Sequence, residues 1–341
     1  MTASTAAQPL PMTEFFVQIK PLASFHLGLD GELSESDDRI RSDTIWSALF
    51  TAALEKGQKE LAEKLKEPGA FLISSSFPVW GKVRFLPRPF LRPVEEEGEF
   101  EEAIEPAKGK KWWHDVAFVS EAVFRRMVKE QPVGQKKKIG RNCLCLADEI
   151  ADNKALAWLL ATDTATGNVV DRLTSMADLF DRTDLRVNVE AGARLGFRLR
   201  LAEQIQDQVE KLFAELGRRG IGGERSSGKG AFEVENISEI PTQEWPKSGR
   251  RFVTLSLYHP TEAEVKAGVL EDAAYELITR GGFIDRRGVQ RQRVRMLKEG
   301  SVLPALDGQV KGDIVDVTPT GFPHPVYRYG WAYPLYLEDG Q

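Results

Sequence analysis

The chain has 341 residues, of which 42% are hydrophobic and 28% are charged. This balance is typical of a folded globular protein of roughly two domains, and no apolar run approaches the ~18 residues of a membrane-spanning helix. The net charge of −5 argues mildly against a broadly basic nucleic-acid-binding domain. Residues 1–13 lack the basic and apolar regions of a signal peptide, so we expect a disordered tail and a cytoplasmic protein.

The first half of the chain predicts a strand, a helix and a second strand. β-favouring residues predict a strand over 15–22. Ser42 is interpreted as the N-cap of an amphipathic helix whose apolar stripe includes Ile45 and Leu49 and which ends at Gly57. The stretch GAFLISSSF (69–77) predicts the next strand. From about 80 to 184 the pattern is irregular, which we interpret as an insertion.

A second strand–helix–strand set follows the insertion. Residues 193–201 alternate between apolar and other side chains, which predicts a half-buried strand. The next helix has one apolar face and Gly217 as its C-cap, and a strand begins after the glycine-rich segment 220–230. The order of these elements is that of the ferredoxin-like fold, in which a four-stranded antiparallel sheet carries both helices on one face.

The remaining residues predict a second α+β domain beyond the linker-like segment 241–249. A helix is expected over 262–274, and strands are expected within 251–260, 274–284, 291–303 and 323–337. The predicted fold class is α+β, with tandem ferredoxin-like (RRM-like) domains and antiparallel sheets. The first domain would span 14–240, with a large irregular insertion at about 80–184, and the second would span 250–341.

Charged residues are unevenly distributed along the chain. The acidic segment 95–105 contains seven glutamates. Basic residues concentrate in three stretches, which comprise Lys82, Arg84, Arg88 and Arg92; Lys136, Lys137, Lys138 and Arg141; and Arg280, Arg286, Arg287, Arg291, Arg293, Arg295 and Lys298. Such patches can follow a phosphate backbone, or each can be an ordinary solvated face.

Metal and acid–base chemistry receive little support from the sequence. Cys143 and Cys145 are too few ligands for a structural zinc site and are interpreted as two small apolar residues on a strand. The four histidines lack the spacing of metal-binding motifs, and Asp37–Asp38 is interpreted as a solvated charge pair in a loop. We expect neither a metal nor a cofactor.

The segment GIGGERSSGKG (220–230) is close to a P-loop in sequence. Gly223, Gly228 and Lys229 match the motif, but Gly230 stands where a Ser or Thr must bind Mg²⁺. The segment also follows a helix and precedes a strand, which reverses the order found in P-loops. Nucleotide hydrolysis at this segment is therefore disfavoured.

A grip on a phosphodiester backbone fits this segment better. Its five glycines let the backbone approach a ligand closely, and successive N–H groups can form an anion-binding concavity. Arginine, lysine and serine side chains add donors and charge, which suits a phosphodiester backbone that is gripped without its bases being read. The alternative is a long connection that needs glycine for its turns. The candidate RNA-binding residues here are Gly220, Gly222, Gly223, Arg225, Ser226, Ser227, Gly228 and Lys229.

Several segments of the chain together resemble one known family. FHLG (25–28) with SESDDRIRSDTIWSAL (34–49), GIGGERSSGKGAFEV (220–234) and HPVYRYGWAYPL (324–335) are similar to the RAMP proteins of type III-A CRISPR effectors. The similarity is greatest to the fourth Csm subunit, which caps the 5′ end of the crRNA. The resemblance covers 15–337, and NVVDRLTS (168–175), which includes Asp171 and Arg172, resembles a further segment of the family.

The resemblance implies a non-catalytic subunit that binds the repeat-derived 5′ tag of the crRNA. It also implies docking on the large polymerase/cyclase subunit, contact with the backbone RAMP subunit, and a thumb-like hairpin within the insertion. His26, Ser42 and Arg172 are secondary candidates for RNA contacts, with His26 and Ser42 placed at or near the opposite end of the layer from the glycine-rich segment.

One enzymatic alternative stays open, a RAMP-type crRNA-processing endoribonuclease with His26 as general base. The position of the glycine-rich segment argues against it. In that relative the segment lies near the C-terminus, whereas about a hundred residues follow Gly230 here.

Overall fold

The structure is a computed structural model that describes residues 12–29, 32–94, 115–150, 156–170, 177–241, 245–284, 288–306 and 312–338. The strands are β1 (Met12–Pro21), β2 (Gly28–Leu29), β3 (Glu32–Ser36), β4 (Phe71–Ile73), β5 (Phe77–Trp80), β6 (Val83–Pro87), β7 (Phe118–Ser120), β8 (Lys136–Ile139), β9 (Cys143–Leu146), β10 (Leu160–Val170), β11 (Ala177–Val187), β12 (Ala193–Ala202), β13 (Phe232–Glu239), β14 (Arg251–Thr254), β15 (Leu277–Arg280), β16 (Val294–Leu297), β17 (Val302–Pro304), β18 (Gly312–Asp316), β19 (Tyr327–Trp331) and β20 (Pro334–Tyr336). The helices are α1 (Ser42–Glu55), α2 (Lys59–Lys64), α3 (Glu121–Val128), α4 (Gln206–Arg219) and α5 (Glu262–Lys266). None of the helices in these ranges is long and apolar enough to span a membrane.

The described residues form a mixed α+β structure organised around one nine-stranded sheet. The strand order is β13-β1-β12-β5-β6-β7-β9-β8, with β4 also paired to β12. Neighbouring strands are antiparallel except for β7 and β9. The register places Val17 of β1 opposite Phe197 of β12 and Ile237 of β13, so the three strands direct apolar side chains to the same face.

Helices α1 and α4 bury their apolar stripes in the main core and pack against each other. Phe213 of α4 meets Phe197 of β12 with their ring centroids 5.2 Å apart. Ile45 and Leu49 of α1 are fully buried in the same cluster. The amphipathic pattern that predicted both helices is therefore confirmed.

Two predicted helix ends are wrong. Ser42 is the first residue of α1, with Arg41 as the N-cap, because the Ser42 hydroxyl instead accepts a hydrogen bond from Leu257 N at 3.0 Å. Helix α4 continues past Gly217 and is capped by Gly220. A side chain at Gly217 would clash with the carbonyl oxygen of Phe232, so this glycine allows the helix to pack closely on β13.

The strand predicted over 69–77 is interrupted by three buried serines. Ser74–Ser76 separate β4 from β5, and both strands pair with β12. The three serine hydroxyls accept hydrogen bonds from the backbone N–H groups of Arg198, Ser42 and Ile40, at 2.8, 2.9 and 2.9 Å. Side-chain oxygens thus satisfy buried donors where the strand breaks.

The insertion is more regular than expected. Strands β6 to β9 extend the main sheet, and helix α3 packs against β6, β7 and β9. Each of these strands is only 3 to 5 residues long, too short to give a periodic pattern. Cys143 and Cys145 are buried on β9, as predicted, and burial raises the pKa of the Cys145 thiol to about 12. The insertion also holds the antiparallel hairpin β10–β11.

The C-terminal part consists of short antiparallel pairs around β14, which pairs with both β17 and β20. Helix α5 is shorter than the predicted 262–274 segment, because Gly268 follows with a φ of +91°. The two halves share one core: Tyr329 Oη accepts a hydrogen bond from Ile73 N at 3.0 Å, and Ser75 N donates to Leu255 O at 2.9 Å.

Candidate nucleic-acid interface

The glycine-rich loop, residues 220–230, joins α4 to β13 and has a fixed base. Gly223 N donates a hydrogen bond to His26 O at 2.8 Å. A Cβ at Gly222 would lie 2.5 Å from the same carbonyl oxygen, and one at Gly230 would clash with the opposite arm of the loop. Close backbone packing therefore accounts for the glycines at the base.

The tip of this loop, Glu224–Gly228, is exposed. It forms a short 3-10 turn over Arg225–Ser227, and Ser227 Oγ donates to Glu224 O at 2.7 Å. Within the described ranges the side chains of Arg225 and Ser226 form no hydrogen bond or ion pair, and both are exposed. These two predicted donors are available to a ligand, whereas the Ser227 hydroxyl is engaged within the turn.

Lys229 turns away from the tip. Its Nζ forms an ion pair with Asp184 of β11, and the two side chains are only 12% and 11% exposed. Asp184 also accepts a hydrogen bond from Ser24 Oγ at 3.4 Å. Lys229 therefore neutralises a carboxylate here, and binding a phosphate would require it to exchange that partner.

The hairpin β10–β11 is tied to the glycine-rich loop through this ion pair and through the segment after β1. Phe25 and Leu185 exchange backbone hydrogen bonds of 2.9 and 2.8 Å. On the exposed side, Arg182 Nη1 of the hairpin lies 3.5 Å from Glu224 Oε2 of the loop tip. The loop and the hairpin thus form one composite surface.

The structure places two of the three secondary candidates. His26 lies directly beneath the loop, not at the opposite end of the layer, and is only 5% exposed. Its Nδ1 is 3.1 Å from Thr183 O and 3.4 Å from Asp184 Oδ1. Ser42 is completely buried between the two halves of the chain, so it offers no surface to RNA. Arg172 lies outside the described residues, as does the acidic segment 95–105.

Sequence reasoning missed a buried cluster of charges that joins the two halves. The first half supplies three members and the second half supplies three, and each is at most 6% exposed. This joint network comprises Asp37, Arg41, Asp43, Arg280, Glu299 and Arg328. The only signal for it was the charge-rich segment 37–43, whose partners lie more than 200 residues further along the chain.

The members of the joint network are connected by short, charge-assisted hydrogen bonds. Arg280 donates to Asp43 at 3.0 and 3.1 Å and to Asp37 at 2.9 Å. Arg41 donates to Asp37 at 2.6 and 2.8 Å and to Glu299 at 2.5 Å. Arg328 pairs with Asp43. The interpretation of Asp37 as a solvated residue is therefore wrong, and Arg280 is not part of a surface patch, because each is surrounded by groups of opposite charge.

The network also favours the ionised form of the Asp43 carboxylate. Burial alone would raise the pKa of Asp43, but the guanidinium groups of Arg280 and Arg328 outweigh this effect and hold that pKa well below its ordinary value of 3.8.

In the described ranges, no group of three or more His, Cys, Asp or Glu side chains could hold a metal ion.

Comparison with known proteins relates both halves to one family. A family model of the CRISPR Csm4 C-terminal domain matches residues 247–337. The curated "CRISPR system Cms protein Csm4" of Mycobacterium tuberculosis (strain H37Rv) is 26% identical over 324 residues, covering 92% of this chain and 93% of that protein. Its counterpart from Streptococcus thermophilus is 25% identical over 321 residues, covering 92% and 95%.

Solved structures agree in fold with this chain. A chain in the crystal structure of a Csm3–Csm4 subcomplex of the type III-A CRISPR-Cas interference complex matches with a TM-score of 0.65 at 15% identity, covering 96% of this chain and 100% of that one. A chain in a Csm1–Csm4 cassette bound to cA4 matches with a TM-score of 0.57 at 18% identity, covering 97% and 100%. The resemblance predicted from the sequence is confirmed by these comparisons taken together.

Proposed function

Because this chain belongs to the Csm4 family of type III CRISPR systems, we propose that it is a non-catalytic crRNA-binding subunit of a type III-A (Csm) interference complex. It grips the repeat-derived 5′ tag of the crRNA and docks on the large polymerase/cyclase subunit and the backbone RAMP subunit. Solved relatives occur in Csm3–Csm4 and Csm1–Csm4 assemblies, which supports the choice of partners.

The observation that carries the RNA-binding proposal is the exposed tip of the glycine-rich loop. Arg225 and Ser226 present donors that have no partner among the described residues, next to the backbone N–H groups of the turn, a combination suited to phosphate oxygens. The hairpin β10–β11 lies against this loop through Asp184 and Lys229, so RNA on the tip would also meet the hairpin. We assign the hairpin as the thumb-like element of this subunit.

The ferredoxin-like architecture of the first domain is part of the proposal. Its four strands lie in the order β13-β1-β12-β4 with antiparallel pairing, and α1 and α4 connect them. This is the order of a β-α-β-β-α-β unit. In this interpretation the glycine-rich loop follows the second helix and lies at one end of the sheet, beside His26.

Substitution of the tip donors tests RNA binding. We expect Arg225→Ala, alone and with Ser226→Ala, to weaken the affinity for 5′-tag RNA. We also expect the slope of log K against log salt to decrease by about 0.7, the contribution of one phosphate on a single strand. Lys59→Ala, which removes an exposed positive charge outside the three basic stretches, is the control. An unchanged affinity and slope in the double variant would rule the tip out as the grip.

The non-catalytic assignment is tested with His26. Its 5% exposure and its position between Thr183 and Asp184 leave little room for a substrate hydroxyl. We expect the purified protein to leave repeat RNA intact in the absence of metal. Cleavage that is lost in His26→Ala would favour the endoribonuclease alternative.

A further inference from the structure

We propose that Arg291, at the edge of the joint network, binds a phosphate group of the RNA. The RNA path would then continue from the glycine-rich loop to the boundary between the two halves of the chain. This inference rests on the proposed RNA-binding function and adds to it a contact from the second half.

Arg291 carries a positive charge that the joint network does not balance. The network itself pairs three arginines with three carboxylates. Arg291 interacts electrostatically with Asp43 and Arg280, yet Asp43 already accepts from Arg280 and pairs with Arg328. Asp43 also lies in the first turn of α1, where the helix N-terminus adds positive potential. Arg280, Arg328 and the N-terminus of α1 therefore already balance the charge of the Asp43 carboxylate without Arg291.

This region also contains buried N–H donors for which the described residues provide no acceptor. Among the described residues the side chain of Arg291 has no hydrogen-bond or ion-pair partner, and its Nε is buried without one. The Nε of Arg328, which is only 3% exposed, also has no hydrogen-bond partner in the described part of the chain. Buried donors of this kind are rare in folded proteins and call for an acceptor. An oxyanion beside Arg291 would supply such an acceptor.

The electrostatic setting of Arg291 agrees with this geometry. Burial lowers the pKa of Arg291 against the attraction of Asp43, and repulsion from Arg280 lowers it further. The pKa of Arg328 is lowered to about 10 by burial and by repulsion from Arg280 and Arg291, against the pull of Asp43. A cation in such surroundings destabilises the free protein until an anion binds beside it.

The position of Arg291 makes it accessible to RNA. The residue is half-buried, and the adjacent Gln290 is exposed. Its backbone is fixed, since Arg291 N donates to Gly282 O at 2.9 Å. The side chain is therefore presented from a defined point at the surface and is not buried beyond the reach of a ligand.

A short chain of backbone contacts connects this point to the glycine-rich loop. Gly223 N donates to His26 O at 2.8 Å, and Asp37 N donates to Leu27 O at 2.7 Å. Paired segments lie about 4.8 Å apart, so the loop and Asp37 are separated by about two such spacings. Asp37 in turn contacts Arg280. Arg280 in turn acts electrostatically on Arg291, so the route from the base of the loop to Arg291 is longer than these two spacings. A strand of several nucleotides can cover such a route and a single free anion cannot, which favours RNA.

The test compares full-length wild type with Arg291→Gln, which removes the charge and keeps most of the volume. Lys59→Gln, which removes an exposed positive charge outside the three basic stretches, is the control. Thermal unfolding is measured with and without inorganic phosphate, and 5′-tag RNA binding is measured across a salt series. We expect Arg291→Gln to unfold at or above the wild-type temperature and to lose the stabilisation by phosphate. Its affinity should be several-fold weaker, with a salt slope smaller by about 0.7.

Several results would overturn the proposal. A lower unfolding temperature for Arg291→Gln would assign the residue a structural role. An RNA affinity and salt slope equal to those of the wild type would exclude the RNA contact, even if phosphate stabilised only the wild type. Absence of RNA binding by the wild type would refute the proposed function. If phosphate then still stabilised the wild type but not Arg291→Gln, Arg291 would bind a free anion, and the proposed continuation of the RNA path would be wrong.

Discussion

The glycine-rich loop and the joint network are both rich in charged and polar groups, but they differ in how those groups are satisfied. At the loop tip, Arg225 and Ser226 are exposed and unpaired in the described structure. In the joint network, Asp43 and its partners are buried and connected by charge-assisted hydrogen bonds. Free donors at a surface are available to a ligand, whereas satisfied buried charges hold the two halves of the chain together.

The contrast also explains why arginines in this chain cannot be assigned by sequence position alone. Arg280 belongs to the joint network, and Arg291 lies beside it with no carboxylate paired to it among the described residues. Only eleven positions separate them in the sequence. The difference lies in the partners that the fold brings to each, and substitutions at the two kinds of site should therefore have opposite consequences.

The largest effect is expected from Asp43→Asn, which leaves Arg280 and Arg328 without their shared carboxylate. Removing one partner of a buried ion pair costs about 3–5 kcal/mol in the free energy of unfolding. Denaturant unfolding monitored by fluorescence measures this loss. Glu262→Gln, which removes an exposed pair with Lys266, is the control and should change the free energy by less than about 0.5 kcal/mol. Equal effects at both sites would contradict the structural role of the network.

Acid should destabilise the protein through the same carboxylate. The pKa of Asp43 is lower in the folded protein than its ordinary value of 3.8, so the unfolded chain binds this proton more readily. The resulting stability is fully present above the unfolded pKa and is lost as the pH falls through the folded one. We expect the free energy of unfolding to decline below about pH 4, with a shallower decline in Asp43→Asn. The same pH profile in both proteins would argue against Asp43 as a source of the acid-dependent loss of stability.

A smaller, local effect is expected at the junction of the hairpin with the glycine-rich loop. Asp184→Asn removes the ion pair with Lys229 and should cost about 1–3 kcal/mol. The loss should appear first as faster hydrogen exchange at the amides of Phe25 and Leu185, which pair the hairpin to the segment after β1. Asp163→Asn, on an exposed pair with Arg186, is the control. Unchanged exchange at those amides would mean that the ion pair does not hold the hairpin in place.

Local sequence patterns predicted a good part of the fold. The stripes of α1 and α4 and the strands β1, β12 and β13 follow from spacings of two to four residues, which a single sequence displays directly. The break at Ser74–Ser76 was missed because serines in a strand-like run give no sign that their hydroxyls accept buried backbone hydrogen bonds.

The candidate site was predictable only in part, because the partners of its side chains are set by the fold and not by the local sequence. The loop 220–230 is identifiable from its composition, but composition does not indicate that Lys229 turns to Asp184 while Arg225 stays exposed. The joint network depends on pairs such as Asp43 with Arg280, separated by 237 positions. Contacts of such separation are set by tertiary packing and leave no local signature.

The most direct test of the central claim is to map where the crRNA tag touches this subunit. A crRNA with a photoreactive nucleotide in its 5′ tag is assembled into the full complex, irradiated, and the cross-linked peptides are identified. We predict cross-links at the loop tip, Glu224–Gly228, and on the adjoining hairpin. Cross-links confined to distant basic stretches such as 136–141, with none on the loop or the hairpin, would contradict the account.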